Sequence, residues 1–291
     1  LKLSHNQAVG LMVVAPLLWS TAGAVTRQLE AARSFEVTFW RSLFTVLSLL
    51  FILPTLRGPS VFSDMLHGKR GLWLSGLCWG VMFTAFMVAL TLTTVANVLV
   101  TMSIGPLLTA LVARVAIGHK IASRTWGAIV FAGAGIAWIY GGQMGQGQWL
   151  GTLVALCVPI AAAVNWTISQ HAHERGEDVD LVPAVMIGAV ASTLVTLPLA
   201  LPFQATPHDV AWLAGLGLTQ LAIPCVLATL AARVLKAPEI SLLGLLEVIF
   251  GILLAWLVAS EAPDSRVLSG GALVLSALVA NEILGWRARQ G

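Results

Sequence analysis

The chain has 291 residues, of which 58% are hydrophobic and only 10% charged, against about 25% charged in an ordinary soluble domain. Ten apolar stretches fill it and leave no segment long enough for a water-soluble domain. That excludes a soluble enzyme or binding module as the main body of the protein. A net charge of +3 would point to nucleic acid in a soluble protein; in a membrane protein the basic excess belongs to one rim of the bilayer, and no nucleic-acid partner follows from it.

The first stretch, 8–26, ends in Thr26-Arg27-Gln28 with no small-residue cleavage site, and reads as a retained helix rather than a signal peptide. The others span 36–56, 71–91, 95–117, 125–141, 149–170, 181–203, 210–232, 239–259 and 267–286. Each has about the twenty residues that a helix needs to cross a hydrocarbon core. A barrel would alternate apolar and polar residues in short segments, whereas 242–259 and 126–139 are apolar on nearly every side. The expected fold is an all-α membrane protein of ten transmembrane helices built from two inverted five-helix repeats. Residues 1–143 form the first repeat and 144–291 the second.

The repeat rests on three observations. Leu74-Ser75-Gly76-Leu77 returns as Leu213-Ala214-Gly215-Leu216, and Pro106 to Lys120 lies over Glu247 to Glu261 without a gap. The uncharged, glycine-rich 141–148 reads as a flexible linker between the halves, not as a phosphate loop, since it lacks the GxxxxGK[ST] pattern. With an odd number of helices per half, the second copy runs upside down. Inverted repeats with a site near the midplane are the architecture of secondary transporters. If the amino terminus is cytoplasmic, twelve of the sixteen Lys and Arg fall on the cytoplasmic side, which places both termini there.

Tryptophan normally collects at the two interfaces, and eight of eleven do so here. Trp19 and Trp79 sit at mid-span and Trp166 in the inner third of its helix, each needing a partner or a cavity for its indole N–H. Gly76 and Gly80 flank Trp79, and Phe83 lies one turn on; the glycine pair allows close helix packing within one chain or between two. Prolines 16, 106, 159 and 224 are expected to break helices 1, 4, 6 and 8 and free backbone groups. Ser20 beside Trp19, Ser103 near Pro106, and Asn165 beside Trp166 are polar neighbours of those breaks. The bland alternatives are plain kinks and core packing.

Beyond the first residues of the spans, four charged residues lie within apolar stretches. Arg114 and Glu282 are near helix ends, where snorkelling or a mutual ion pair accounts for them. Arg41, near the outer end of helix 2, either snorkels or attracts anions to an outer mouth. Glu247 stands well inside its helix with no sequence-local base, and an intramembrane ionisable group is a functional-site hypothesis by default. The alternative is a neutral acid bonded to a neighbouring helix. Trp19, Ser20, Trp79, Phe83, Ser103, Asn165, Trp166 and Glu247 are therefore the expected cavity residues.

Catalysis has no visible machinery: no HExxH, no His and Ser at depth, no paired aspartates, and all six histidines at or beyond helix ends. The three cysteines show no CxxC or Cys/His spacing, and His171 and His173 would not share a helix face. No enzyme activity, cofactor or metal is expected.

Ala15-Pro16-Leu17-Leu18-Trp19-Ser20 followed by Phe39-Trp40-Arg41-Ser42-Leu43 resembles the opening of the drug/metabolite transporter superfamily in its ten-helix EamA form. Val95 to Lys120, then Gly133-Ala134-Gly135, is similar to that family's fourth and fifth helices, and Ser260-Glu261-Ala262-Pro263 with Gly270-Gly271 to the same block in the second half. The whole pattern looks closest to the YddG-type exporters of aromatic and other amino acids. Lys120 stands where the family usually has glutamate, and Glu247 where the repeat would place proline. The resemblance implies a bacterial inner-membrane exporter working by alternating access without ATP, with a central cavity lined by helices 1, 3, 4, 6, 8 and 9. Its partners would be the bilayer and a small-molecule substrate, an amino acid or similar metabolite, with the oligomeric state unreadable. Export of cationic drugs or other small metabolites is the alternative within transport, and a non-transporting membrane protein the alternative outside it.

Overall fold

The computed structural model describes residues 3–32, 34–117, 123–143, 149–174, 180–235, 240 and 243–290. Most of the glycine-rich linker (144–148), Lys120 and residues 236–239 lie outside them. Among the described residues the chain is helical without strands: α1 (His5–Trp19), α2 (Thr21–Thr26), α3 (Ser34–Arg57), α4 (Val61–Leu66), α5 (Arg70–Leu92), α6 (Val95–Met102), α7 (Gly105–Ile117), α8 (Ser123–Gln143), α9 (Trp149–Glu174), α10 (Val182–Ala200), α11 (Pro207–Leu216), α12 (Ile223–Ala231), α13 (Leu246–Ala259) and α14 (Ser265–Gln290). A π-helical segment, Gly217–Ala222, joins α11 to α12. Among the described residues, eight continuous or bent helical stretches are long and apolar enough to cross a membrane. The shorter apolar α13 and the 21-residue α8 complete ten transmembrane helices.

Local chemistry sets the helix starts. Ser4 Oγ accepts from Gln7 N while Gln7 Oε1 accepts from Ser4 N, a reciprocal cap on α1, and Thr206 with Asp209 does the same for α11. Transmembrane helices 1, 4, 8 and 9 are interrupted near their middles. In helix 1 the hydroxyls of Ser20 and Thr21 donate to Leu17 and Leu18 carbonyls at 2.6 and 2.7 Å, which bends the ladder between α1 and α2. In helix 4 Ser103 repeats the device, its Oγ on Val100 O at 2.6 Å, and Pro106 then opens α7. In helix 9 a turn at Leu245 precedes α13, whose second residue is Glu247. Pro106 is likewise the second residue of α7. The residues matched across the two repeats thus occupy the same step after the same interruption.

Two of the four expected proline breaks do not occur. Pro16 and Pro159 lie inside uninterrupted helices; a proline removes one N–H, and a transmembrane helix tolerates that when its neighbours hold it in place. In helix 1 the bend falls at Ser20 instead. Pro224 follows the π segment, at the start of α12.

The core forms around α5, which packs against α9 and α10, while α3 packs mainly on α10 and also meets α5. The closest approach is at Gly76, Gly80 and Gly188, so the small pair flanking Trp79 packs within one chain. The helices α8 and α14 pack on each other and share a separate apolar cluster with Leu107. At the end of the bundle opposite the termini, buried carboxylates tie loops together. Glu36 accepts from Gln204 N and Ala205 N, and Asp209 from Glu30, Ala31 and Ala32 N. There too Arg27 pairs with Glu261 at 2.6 Å and donates to Leu90 O and Thr93 O.

A Cβ at Gly188 would stand 2.4 Å from Trp79 Cβ and 2.8 Å from Gly80 N, which only a shift of two backbones can relieve. We expect Gly188→Ala to destabilise by about 1–3 kcal/mol through overpacking. Gly127→Ala, with nothing within 4 Å of the new methyl, should stay within about 0.5 kcal/mol. Thermal unfolding of the two variants in the same detergent checks the contrast.

Candidate functional site

The interruptions of helices 1, 4, 8 and 9 meet around one cavity of about 170 Å³, which helices 2, 3 and 6 complete. Five aromatic residues, Trp19, Trp79, Phe83, Phe86 and Trp166, contribute to its walls. Trp79 and Phe83, one turn apart on α5, have ring centroids 5.4 Å apart, and Trp166 meets Trp79 edge-on at 6.1 Å. Trp19 closes the same space from the end of α1. The rim tryptophans are different: Trp73, Trp126, Trp138, Trp149, Trp212 and Trp256 are 42–55% exposed along the outside of the bundle, while Trp79 is 4% exposed. Gly188 makes the depth of Trp79 possible, because its missing side chain receives the Trp79 Cβ.

Of the expected residues, Trp19, Trp79, Phe83, Ser103, Trp166 and Glu247 line the cavity, as do Pro106 and Pro159. Ser20, Asn165, Pro16 and Pro224 do not. Asn165 precedes Trp166 and lies about 100° from it around the helix axis, so when the indole faces the cavity the amide faces α5, where its Oδ1 accepts from Ser75 Oγ at 2.6 Å. The Ser20 hydroxyl is spent on its own helix.

Two polar residues were not singled out for this place by sequence. Arg41 neither snorkels nor reaches an outer mouth: it is completely buried and lines the cavity. The helix containing it starts at Ser34, two turns earlier, and Glu36, the nearest acid in sequence, is committed to the Gln204 and Ala205 amides. Nη1 of Arg41 donates to Gln220 Oε1 at 3.0 Å and Nη2 to Phe83 O at 2.7 Å, while Nε has no partner. The Cζ lies 6.0 Å from the Phe86 ring centre. Among the described residues no carboxylate is within salt-bridge distance of it.

Gln220 is positioned by the π segment. Gly217 packs so tightly on α3 that an added Cβ would meet Arg41 O at 2.8 Å and Thr45 N at 2.9 Å. Thr45 Oγ1 donates to Gly217 O at 3.0 Å. From this turn Gln220 accepts from Arg41 and donates through Nε2 to Trp19 O at 3.3 Å. One amide thus joins the guanidinium to the bend in helix 1. Two signals were present in the sequence, a lone glutamine in an apolar stretch and a glycine pair, Gly215 and Gly217, ahead of Pro224.

Arg41 and Glu247 therefore line one cavity from different helices, together with indole and phenyl rings and the interrupted turns. Such a site can hold a small solute that carries both charges and an apolar body. The described acids and histidines come together elsewhere only at Glu30, His208 and Asp209, and there the Asp209 oxygens are already taken by the amides of Glu30, Ala31, Ala32 and Thr206.

The profile of the EamA-like transporter family matches the chain twice, over residues 6–141 and 149–281. No curated protein matches it. Among solved structures, one described only as "Crystal structure of protein" is similar over 98% of this chain and 99% of its own, with a TM-score of 0.67 and 18% identity. At that identity the likeness concerns the fold.

Gln220→Leu leaves a guanidinium nitrogen and the Trp19 carbonyl without their partners. The expected loss is about 1–3 kcal/mol, read as a lowered unfolding midpoint in detergent. Thr219→Leu, one residue away and exposed, should leave the midpoint unchanged.

Proposed function

Because this chain belongs to the EamA-like transporter family, we propose that it is a secondary transporter or uniporter that exports amino acids, aromatic and other neutral ones, by alternating access. The observation that carries the reading is one buried base and one acid lining the same aromatic-walled cavity. A neutral amino acid presents a carboxylate, an ammonium and an apolar side chain, and the cavity offers a partner for each. Its volume of about 170 Å³ is below the roughly 300–1,000 Å³ of pockets for drug-sized ligands, which favours a metabolite over a bulky drug. A cationic drug would gain from Glu247 and the indoles but would be repelled by Arg41. A nucleotide-linked sugar would want several bases where the cavity has one.

In this reading both termini are cytoplasmic, as the basic rim suggests, and the membrane is a bacterial inner membrane. The halves 1–143 and 144–291 act as the two repeats. Trp19, Trp79, Phe83, Ser103, Trp166 and Glu247 contact substrate, and the interrupted helices move against one another. Glu247 serves as ammonium partner or as proton carrier.

Counterflow of radiolabelled amino acids into proteoliposomes, with an imposed pH gradient as a second arm, tests this. Saturable, competable uptake without the gradient is the expected result for a uniporter. Stimulation by the gradient that Glu247→Gln abolishes makes the protein a proton antiporter. No uptake of any amino acid by folded protein sinks the proposal. Trp79→Ala should weaken phenylalanine binding about tenfold, since an aromatic pair is worth about 0.5–1.5 kcal/mol beyond its buried area; unchanged binding removes that residue from the site.

A further inference from the structure

We infer that Arg41 is the carboxylate-binding group of the cavity, so that substrates are selected for a free carboxylate. The inference rests on the reading that the cavity takes substrate, and it names the group that does the recognising.

Burial comes first. Arg41 is the largest of the fully buried side chains, at 0% exposure, in a helix that crosses the membrane. A guanidinium stays charged in proteins, and an uncompensated charge in a medium of low dielectric is costly. Its two fixed partners, Gln220 Oε1 and Phe83 O, are both neutral. They orient the fork and satisfy two donors without cancelling the charge.

Geometry comes second. A guanidinium has five N–H donors, and two are used here. The unpartnered atom is Nε, which belongs to the edge that binds a carboxylate bidentately together with a neighbouring Nη–H. A purely structural arginine at this depth would be expected to spend that edge on the protein, as Arg27 spends its own Nε on Glu261 Oε2 at 2.6 Å. The residue lines the cavity, so the missing acceptor is one that a solute can bring. Gln220 also fixes Trp19 O, so the carboxylate site and the aromatic wall at the helix 1 bend share a support. Glu247 lines the same cavity and leaves the ammonium of a zwitterion a separate place.

Four probes that differ in their charged ends test this by equilibrium binding to the purified protein in detergent: phenylalanine, phenylalaninamide, phenethylamine and 3-phenylpropanoate. Phenylalaninamide and phenethylamine should bind at least tenfold more weakly than phenylalanine to the unaltered protein. Arg41→Gln should erase that preference. Gln220→Glu supplies an internal carboxylate to the guanidinium; it should fold with an undiminished unfolding midpoint and bind phenylalanine at least tenfold more weakly. Equal binding of phenylalanine and its amide to the unaltered protein overturns the inference, with no variant required, and leaves amino-acid transport standing. A tenfold preference that survives in Arg41→Gln, or in Gln220→Glu should the first fail to fold, overturns it as well. Binding of 3-phenylpropanoate but not phenylalanine, lost in Gln220→Glu, upholds the carboxylate site and removes the amino-acid reading. No binding of any probe overturns both.

Discussion

A guanidinium that cannot reach water constrains the centre of this protein more than any other group. Once Arg41 is buried between α3, α5 and the π segment, its neighbours have restricted identities. Position 217 must be glycine, because the backbone of α3 at Arg41 and Thr45 lies where a Cβ would be. Position 220 must offer an acceptor. The Phe83 carbonyl has to be available near the middle of α5. The π turn meets these demands together, since it carries both the glycine that α3 approaches and the glutamine that meets the guanidinium, and Thr45 ties its first carbonyl to α3.

Backbone satisfaction in the low-dielectric interior explains why the interruptions fall where they do. A helix in lipid keeps its own hydrogen bonds unless something nearby replaces them. Serine and threonine do this locally: Ser20, Thr21 and Ser103 each bond a carbonyl three residues back. Proline alone does not suffice, as the unbroken paths of α1 through Pro16 and α9 through Pro159 demonstrate. Where a hydroxyl or a turn accompanies the proline, as at Ser103 with Pro106, the helix parts and cavity wall results.

This accounts for what the sequence disclosed and what it concealed. Ten spans were legible because length and apolarity are the only requirements for crossing. The deep tryptophans were legible because Trp19, Trp79 and Trp166 depart from the interface that Trp favours. The facing of Asn165 was not, since a polar residue beside a cavity tryptophan turns away by one helical step and finds Ser75. The burial of Arg41 was concealed for a related reason. Its position fits snorkelling, and only knowing that Glu36 is occupied by the Gln204 and Ala205 amides removes its outward partner. Gln220 depends on a helical register that no periodicity announces.

The ties at the end of the bundle opposite the termini are unequal, and their inequality divides the helices. Asp209 and Glu36, at 0% and 1% exposure, accept several backbone N–H bonds each and fasten the loop between helices 1 and 2 to the loop and start of helix 8. Carboxylates held by backbone amides are strong, charge-assisted joints with no side-chain freedom left to lose on the donor side. Arg27 and Glu261 instead retain 29% and 17% side-chain exposure, and an ion pair open to water contributes about 0–1 kcal/mol. This pair connects helix 1 to the hinge between α5 and α6 and to the loop after α13, with Glu261 also holding Val95 N at 2.6 Å. At this end buried carboxylates thereby join helices 1, 2 and 8, whereas the more exposed pair joins helix 1 to helices 3, 4 and 9. Both sets of helices reach the cavity, Trp19 and Gln220 from helices 1 and 8, and Phe83, Ser103 and Glu247 from helices 3, 4 and 9.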